Sequence, residues 1–288
     1  MKVEDIKKIC VIGAGNMGHQ IAVCGALAGY IVSCTDISQD MLNKAETFAK
    51  TYLPERVTKG KLSQEQADAA LEKLSYTTDL AAAVGDADFV IEAAVEKIDI
   101  KRKLFADLDR LAPSHAILAT NSSFIVSSQV ADATKRPDKI CNMHFFNPAL
   151  VMKLVEVVQG AHTSAETAQV TMDLAAKLGK TGILLKKEIY GFLVNRILNA
   201  INTEALYLAD MGIASPEEID VAVTNALGHP MGPFRLMDLT GIDLAYYSGM
   251  ERYQNTGDTA FQPSPLLVEK FTKGEYGVKV KKGFYVYD

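Results

Sequence analysis

The chain has 288 residues, 48% hydrophobic and 23% charged, with a formal net charge of −5 and a pI near 5.6. That length suits one large domain or two ordinary ones. The acidic balance excludes a nucleic-acid partner, because nothing basic is concentrated enough to neutralise a phosphate backbone, and Lys279, Lys281 and Lys282 read as solvated surface.

No segment offers the roughly 18 uninterrupted apolar residues of a membrane helix. The short N-terminal apolar run leads into a glycine turn and is not a secretory core. Cys10, Cys24, Cys34 and Cys141 lack metal-finger spacing, and the five histidines form no HxxxH pair. A cytoplasmic protein with buried free thiols and no metal site is therefore expected.

The first element is a short β-branched run, Ile9 to Ile12, followed by Gly13, Gly15 and Gly18. A helix pattern continues through Ile21, Ala22, Leu27 and Ala28, and a second run from Tyr30 to Cys34 ends near Asp36. Strand, glycine turn, helix, strand and acid make a dinucleotide-binding pattern. Gly13 permits the turn, Gly15 lets the backbone approach a pyrophosphate, and Gly18 lets the helix lie on the strand. Asp36 follows Gly18 at close to the spacing of about 20 residues expected for the acid that holds an adenosine ribose. A 2′-phosphate would meet that negative charge, and Ile37, Ser38 and Gln39 supply no arginine. NAD is favoured over NADP.

Helical spacing runs from Met41 to Val57 and resumes from Leu62 to Leu74, with Ser63 and Gln66 at capping-box spacing. This predicts an inserted helical hairpin with a basic tip of Arg56, Lys59 and Lys61, either a solvated arm or a clamp for an anionic substrate handle. Asp86 to Val95 is the next buried strand, ending at Glu96 before a helix that carries Lys101. Ligands sit at the carboxyl ends of parallel strands, which places Glu96 and Lys101 on the cofactor side. Ala116 to Asn121 ends in Ser122 and Ser123, as caps, site residues or both.

Lys139 to His144 and Lys153 to Val158 are two further strands. A hairpin centred on Leu150 sets His144 opposite Glu156, so that a carboxylate would orient an imidazole and raise its basicity. Without other context, a histidine after an apolar run is more often a satisfied core residue. A helix from Ala165 to Leu178 and a strand from Gly182 to Leu185 complete an α/β domain over residues 1–188. Residues 189–288 read as a smaller all-helical domain. It opens on a helix from Gly191 to Asp210 with Asn195 in its first turn, continues through a helix capped by Ser215 and Pro216, and reaches a helix from Phe234 to Tyr253. Its content of Leu, Met and Tyr suits burial against a second copy, as a homodimer or higher homo-oligomer.

The segments HFFNPALVMKLVEVV, GFLVNRI and HPMGPFRLMDLTGID, together with the glycine turn and the terminal KKGFYVYD, resemble the short-chain L-3-hydroxyacyl-CoA dehydrogenase family. The likeness spans nearly the whole chain and is strongest to the family's bacterial 3-hydroxybutyryl-CoA members. It implies a Rossmann-type mostly parallel sheet with the hairpin inserted, NAD as cofactor, and (S)-3-hydroxybutyryl-CoA and acetoacetyl-CoA as the interconverted pair. By resemblance, His144 is the general acid/base, Glu156 its partner, and Ser123 and Asn195 hold the substrate. The cofactor contacts match Gly13, Gly15, Asn16, Met17 and Gly18 of the turn with Asp36, Glu96, Lys101, Asn121 and Ser123, while Arg56, Lys59 and Lys61 are candidates for the coenzyme A phosphates.

Three positions depart from the family pattern: Ser122 conservatively replaces a usual threonine, and two changes are larger. Phe124 stands where a second serine usually follows Ser123, and Tyr190 where a proline often precedes the Gly-Phe pair. Two other readings share the scaffold. A β-hydroxyacid dehydrogenase would carry a catalytic lysine four residues before Asn195, where this chain has Gly191, and a non-catalytic NAD-binding protein would not need Ser123, His144, Glu156 and Asn195 together.

Overall fold

The structure, a computed structural model, describes the backbone of residues 1–288 and every side chain except those of Asn255, Thr256 and Ala260. It divides into two compact units, Met1–Leu193 and Val194–Asp288. The division lies a few residues beyond the one expected after Glu188.

In the first unit β1 (Lys8–Ile12), α1 (Asn16–Leu27) and β2 (Ile31–Thr35) follow the expected order. Next come α2 (Gln39–Thr58) and α3 (Gln64–Glu72) of the inserted hairpin. The Ser63 hydroxyl accepts from the Gln66 amide, and the Gln66 side chain accepts from the Ser63 amide, which ends the hairpin turn as the spacing predicts. Helical spacing does not continue to Leu74. Residues Leu74–Thr77 form an edge strand, β3, and a short helix, α4 (Leu80–Val84), follows.

The unit continues with β4 (Phe89–Glu92), α5 (Ile98–Leu111), β5 (Ile117–Thr120), α6 (Ser128–Ala131), β6 (Ile140–Phe145), β7 (Leu154–Val158), α7 (Ala165–Lys177) and β8 (Thr181–Leu185). The eight strands form one sheet in the order β3-β2-β1-β4-β5-β6-β7-β8. Every neighbouring pair is parallel except β6 with β7. The first six strands have the doubly wound Rossmann order, whose crevice opens between β1 and β4 where the winding reverses. Buried side chains of β1, β4 and β5 pack under helices on both faces, which is why those strands read as continuous apolar runs.

The second unit contains α8 (Val194–Asp210), α9 (Pro216–Leu227), α10 (Pro233–Thr240), α11 (Ile242–Thr256) and α12 (Pro265–Thr272). Ser215 caps α9 in a capping box with Glu218, as expected. Two expectations are corrected. The first helix begins at Val194, because Gly191 (φ 74°) and Phe192 (φ 47°) are left-handed and cannot be helical. The helix expected from Phe234 to Tyr253 is two helices, broken at Gly241, whose φ of 108° no α-helix accommodates. Buried Asp220 and Asp238 tie down the C-terminal segment. Asp220 accepts from the Tyr285 hydroxyl at 2.8 Å, and Asp238 accepts from the Tyr287 hydroxyl at 2.9 Å. Among the described residues no helix is long and apolar enough to cross a membrane.

Candidate active site

Strand register gathers the site. Thr35, Ile12, Glu92, Thr120 and Asn142 form one row across β2, β1, β4, β5 and β6. Each expected site residue of this sheet therefore lies just past that row, along a single carboxyl edge: Asp36, Gly13, Asn121 with Ser122 and Ser123, and His144.

At the β1–α1 turn, Gly13 has φ 94°, and a Cβ there would stand 2.6 Å from the Ala93 carbonyl. A Cβ on Gly18 would collide with the Gly13 carbonyl, so the close approach of helix to turn requires glycine. A Cβ on Gly15 would meet no atom within 4 Å beyond its chain neighbours, among the described residues. That open space faces the first amides of a 12-residue helix, the place a pyrophosphate occupies in such a turn, so the residues fit a dinucleotide. Asn16 and Met17 begin this helix, and the Asn16 amide group donates to Asn147 Oδ1 at 2.9 Å. Asp36 Oδ2 accepts from the Ala14 amide at 2.7 Å and Oδ1 from the Ser38 amide at 2.9 Å. The acid thus braces the glycine turn, and with about four lone-pair sites it keeps capacity for a ribose.

His144 and Glu156 are register partners on β6 and β7, as the hairpin centre predicts. Nδ1 of His144 lies 2.9 Å from Glu156 Oε2, and Nε2 lies 3.0 Å from Ser123 Oγ. Glu156 is sealed from solvent and His144 is 3% exposed. A carboxylate only accepts, so Nδ1 carries the proton, and Nε2 presents its lone pair to the Ser123 hydroxyl. Glu156 Oε1 also accepts from the Leu193 amide at 3.0 Å. The rings of Phe146 and Phe192 pack on His144 at 4.7 and 5.4 Å between centroids. Phe192 is completely buried, which offsets a left-handed backbone that costs a non-glycine residue about 1–2 kcal/mol.

Glu96 and Lys101 belong to one network. Lys101 is fully buried: its ammonium lies 2.6 Å from Glu92 Oε1 and 3.5 Å from Glu96 Oε2. Glu92 also accepts from the Thr120 hydroxyl at 2.6 Å, and Thr120 Oγ1 in turn accepts from the Ser122 amide at 3.1 Å. Ser122 donates its hydroxyl to Glu96, which closes the loop of contacts. Asn121 Oδ1 accepts from the Phe145 amide at 2.8 Å, fixing the β5 end beside His144.

Sequence reading missed Glu92, Asn147, Phe192 and the Leu193 amide. Glu92 had a signal, since a carboxylate inside the run DFVIEAAV must find a buried partner. The Leu193 amide had none, because any residue could supply it.

Two sets of expected residues belong to other elements. On the hairpin, Lys59 pairs with Glu55, Arg56 lies over the Tyr52 ring at 5.6 Å, and exposed Lys61 is at the tip. Asn195 is the second residue of α8 and belongs to the second unit.

The sequence profile of the 3-hydroxyacyl-CoA dehydrogenase NAD binding domain matches residues 8–189, and that of the family's C-terminal domain matches residues 191–287. The chain is 39% identical to a 3-hydroxybutyryl-CoA dehydrogenase of Clostridioides difficile, over 98% of this chain and 99% of that one. It is 37% identical to the mitochondrial hydroxyacyl-coenzyme A dehydrogenase of Sus scrofa, over 98% and 91% of the two chains. The crystal structure of (S)-3-hydroxybutyryl-CoA dehydrogenase from Ralstonia eutropha superposes with a TM-score of 0.92 at 35% identity, covering 99% of this chain and 100% of that one. With a dinucleotide turn, an oriented histidine at the same sheet edge and both family domains matched end to end, the chain belongs to the 3-hydroxyacyl-CoA dehydrogenase family.

Proposed function

We propose that the protein is an NAD-dependent dehydrogenase that interconverts (S)-3-hydroxybutyryl-CoA and acetoacetyl-CoA. The observation that carries this reading is His144, whose Nε2 lone pair meets a hydroxyl, that of Ser123, while Nδ1 is held by buried Glu156. NAD supplies the hydride acceptor when bound at the glycine turn. His144 Nε2 takes the proton of the 3-hydroxyl in oxidation and returns it in reduction. Glu156 holds the imidazolium that forms. The Ser123 hydroxyl donates to the reacting oxygen and fixes its position. Asn121 and Glu96 serve the cofactor side, and Lys101 sets the Glu96 carboxylate.

Asn195 is proposed to add a hydrogen bond to the substrate when the helical unit closes over the bound pair. The hairpin tip, through Arg56, Lys59 and Lys61, is proposed to receive coenzyme A phosphates. Exposed Tyr207, Met211, Ile213, Val221 and Leu227 on the helical unit support assembly of a homo-oligomer. Four free, buried cysteines support a reducing, cytoplasmic setting.

The test is NADH oxidation with acetoacetyl-CoA, with free acetoacetate and with neither. Turnover is expected with the thioester alone. His144→Gln should lower kcat by about 10²–10⁴-fold with NADH affinity retained, and Glu156→Gln by about 10²-fold. Near-normal turnover of His144→Gln would refute the assignment.

A further inference from the structure

We infer that Phe124 and Tyr190 are positioning residues, an aromatic clasp that holds the two segments flanking the His144–Glu156 pair. The inference rests on the acid–base role proposed above. Phe124 directly follows Ser123, whose Oγ meets His144 Nε2 at 3.0 Å. The Phe124 amide donates to Glu96 Oε1 at 3.2 Å, so this loop is fixed at its own base. Tyr190 opens the second segment. After it the backbone passes through Gly191 (φ 74°) and Phe192 (φ 47°), then delivers the Leu193 amide to Glu156 Oε1 at 3.0 Å. Phe192 sets its ring 5.4 Å from the imidazole.

One segment therefore contacts His144 at Nε2, and the other contacts its carboxylate partner and its ring face. They meet where the rings of Phe124 and Tyr190 stack, 5.1 Å apart at 27°. A left-handed phenylalanine relaxes when nothing holds its turn. Within the turn the Phe192 amide donates to the Ile189 carbonyl at 3.1 Å, and the stack ties the turn to the loop that carries Ser123. A second tie lies further off, where Glu188 Oε1 accepts from the Ser127 hydroxyl and the Ser128 amide, both at 2.8 Å. That second tie keeps the segments paired when the stack is lost, so removing one ring loosens the geometry without dismantling the unit.

The test combines amide hydrogen exchange with kinetics on the full chain. Phe124→Ala and Tyr190→Ala are each expected to speed exchange in a peptide spanning residues 190–194. Each should also lower kcat with acetoacetyl-CoA by about three- to tenfold, the kinetic equivalent of one aromatic pair. KM for NADH should stay within about twofold. The double variant should cost less than the two single losses multiplied together, since the stack is lost in all three. Tyr190→Phe, which keeps the ring, should restore both readouts, and Phe124→Leu, which fills the space without a ring, should not. Unchanged exchange in Phe124→Ala, or equal losses in Tyr190→Phe and Tyr190→Ala, would overturn the clasp. Absence of turnover in the unsubstituted protein would instead refute the acid–base reading, and the exchange data would still judge the clasp.

Discussion

The Lys101 ammonium lies 2.6 Å from the Glu92 carboxylate, and both side chains are out of contact with solvent. A buried pair of this kind adds little net stability over an apolar replacement, yet breaking it strands a charge. Lys101→Met should destabilise the first unit by about 3–5 kcal/mol, measured by urea unfolding. Combining it with Glu92→Gln should recover a large part of the loss. If the double variant is as unstable as Lys101→Met, stranded charge is not the cause.

Asp36 braces the glycine turn, and substitution can separate that duty from the one proposed for it, the rejection of a 2′-phosphate. Asp36→Asn keeps an oxygen for the Ala14 or Ser38 amide, from which the carboxylate now accepts at 2.7 and 2.9 Å, but removes the charge that opposes a 2′-phosphate. The unsubstituted protein should prefer NADH to NADPH, and Asp36→Asn should narrow that preference by about tenfold, the order expected for losing one charge-assisted contact. A native preference for NADPH, read in the same assay, would refute the role given to Asp36.

The hairpin tip makes a salt-dependent prediction. Lys61→Glu and Arg56→Glu should each raise KM for acetoacetyl-CoA by about two- to fivefold at low salt, with kcat and KM for NADH unchanged, as befits charges at the protein surface acting on a distant phosphate. The difference from the unsubstituted protein should shrink as salt is added. A KM that ignores both substitutions would leave the hairpin as a solvated arm.

The four thiols predict an alkaline limit to stability. Burial pushes Cys24 up to about 11 and Cys34 and Cys141 up to about 12, and it raises Cys10 as well. An ordinary thiol, as in the unfolded chain, ionises near 9.0, so the unfolded state releases protons first and stability falls as pH rises above 9.0. Denaturant midpoints should be insensitive to these groups below pH 9.0 and decline above it. A disulfide-exchange reagent at about pH 8, where an unburied thiol still reacts, should reach none of the four in the native protein and all of them in denaturant.

Much of the sheet was legible because buried parallel strands leave unbroken apolar runs, and because a period of two fixes which residues can face each other across a hairpin. That is why His144 and Glu156 could be paired from spacing alone. The segment from Tyr190 to Leu193 was not legible. Its apolar residues continue a helical rhythm into α8, yet Phe192 takes a left-handed backbone supported by its burial against His144. Gly241 misled in the same way, since spacing cannot tell a helix from two helices joined at one positive φ. The nearest partner of Lys101, Glu92, was not legible, because it is hidden inside a strand whose other residues are apolar.

The reversal of β7 against β6 has a consequence for how the protein assembles. A parallel neighbour for β6 would need a crossover of a dozen or more residues, usually with its own helix. The antiparallel return brings Glu156 to His144 through a short connection, and loop closure costs little when the loop is short. The His144–Glu156 pair is therefore specified within a single hairpin. The nucleotide crevice, by contrast, depends on β1, β4 and β5, which the chain visits far apart in sequence. Substitutions that slow docking of those distant strands should delay cofactor binding while leaving the hairpin's own pairing local and quick to form.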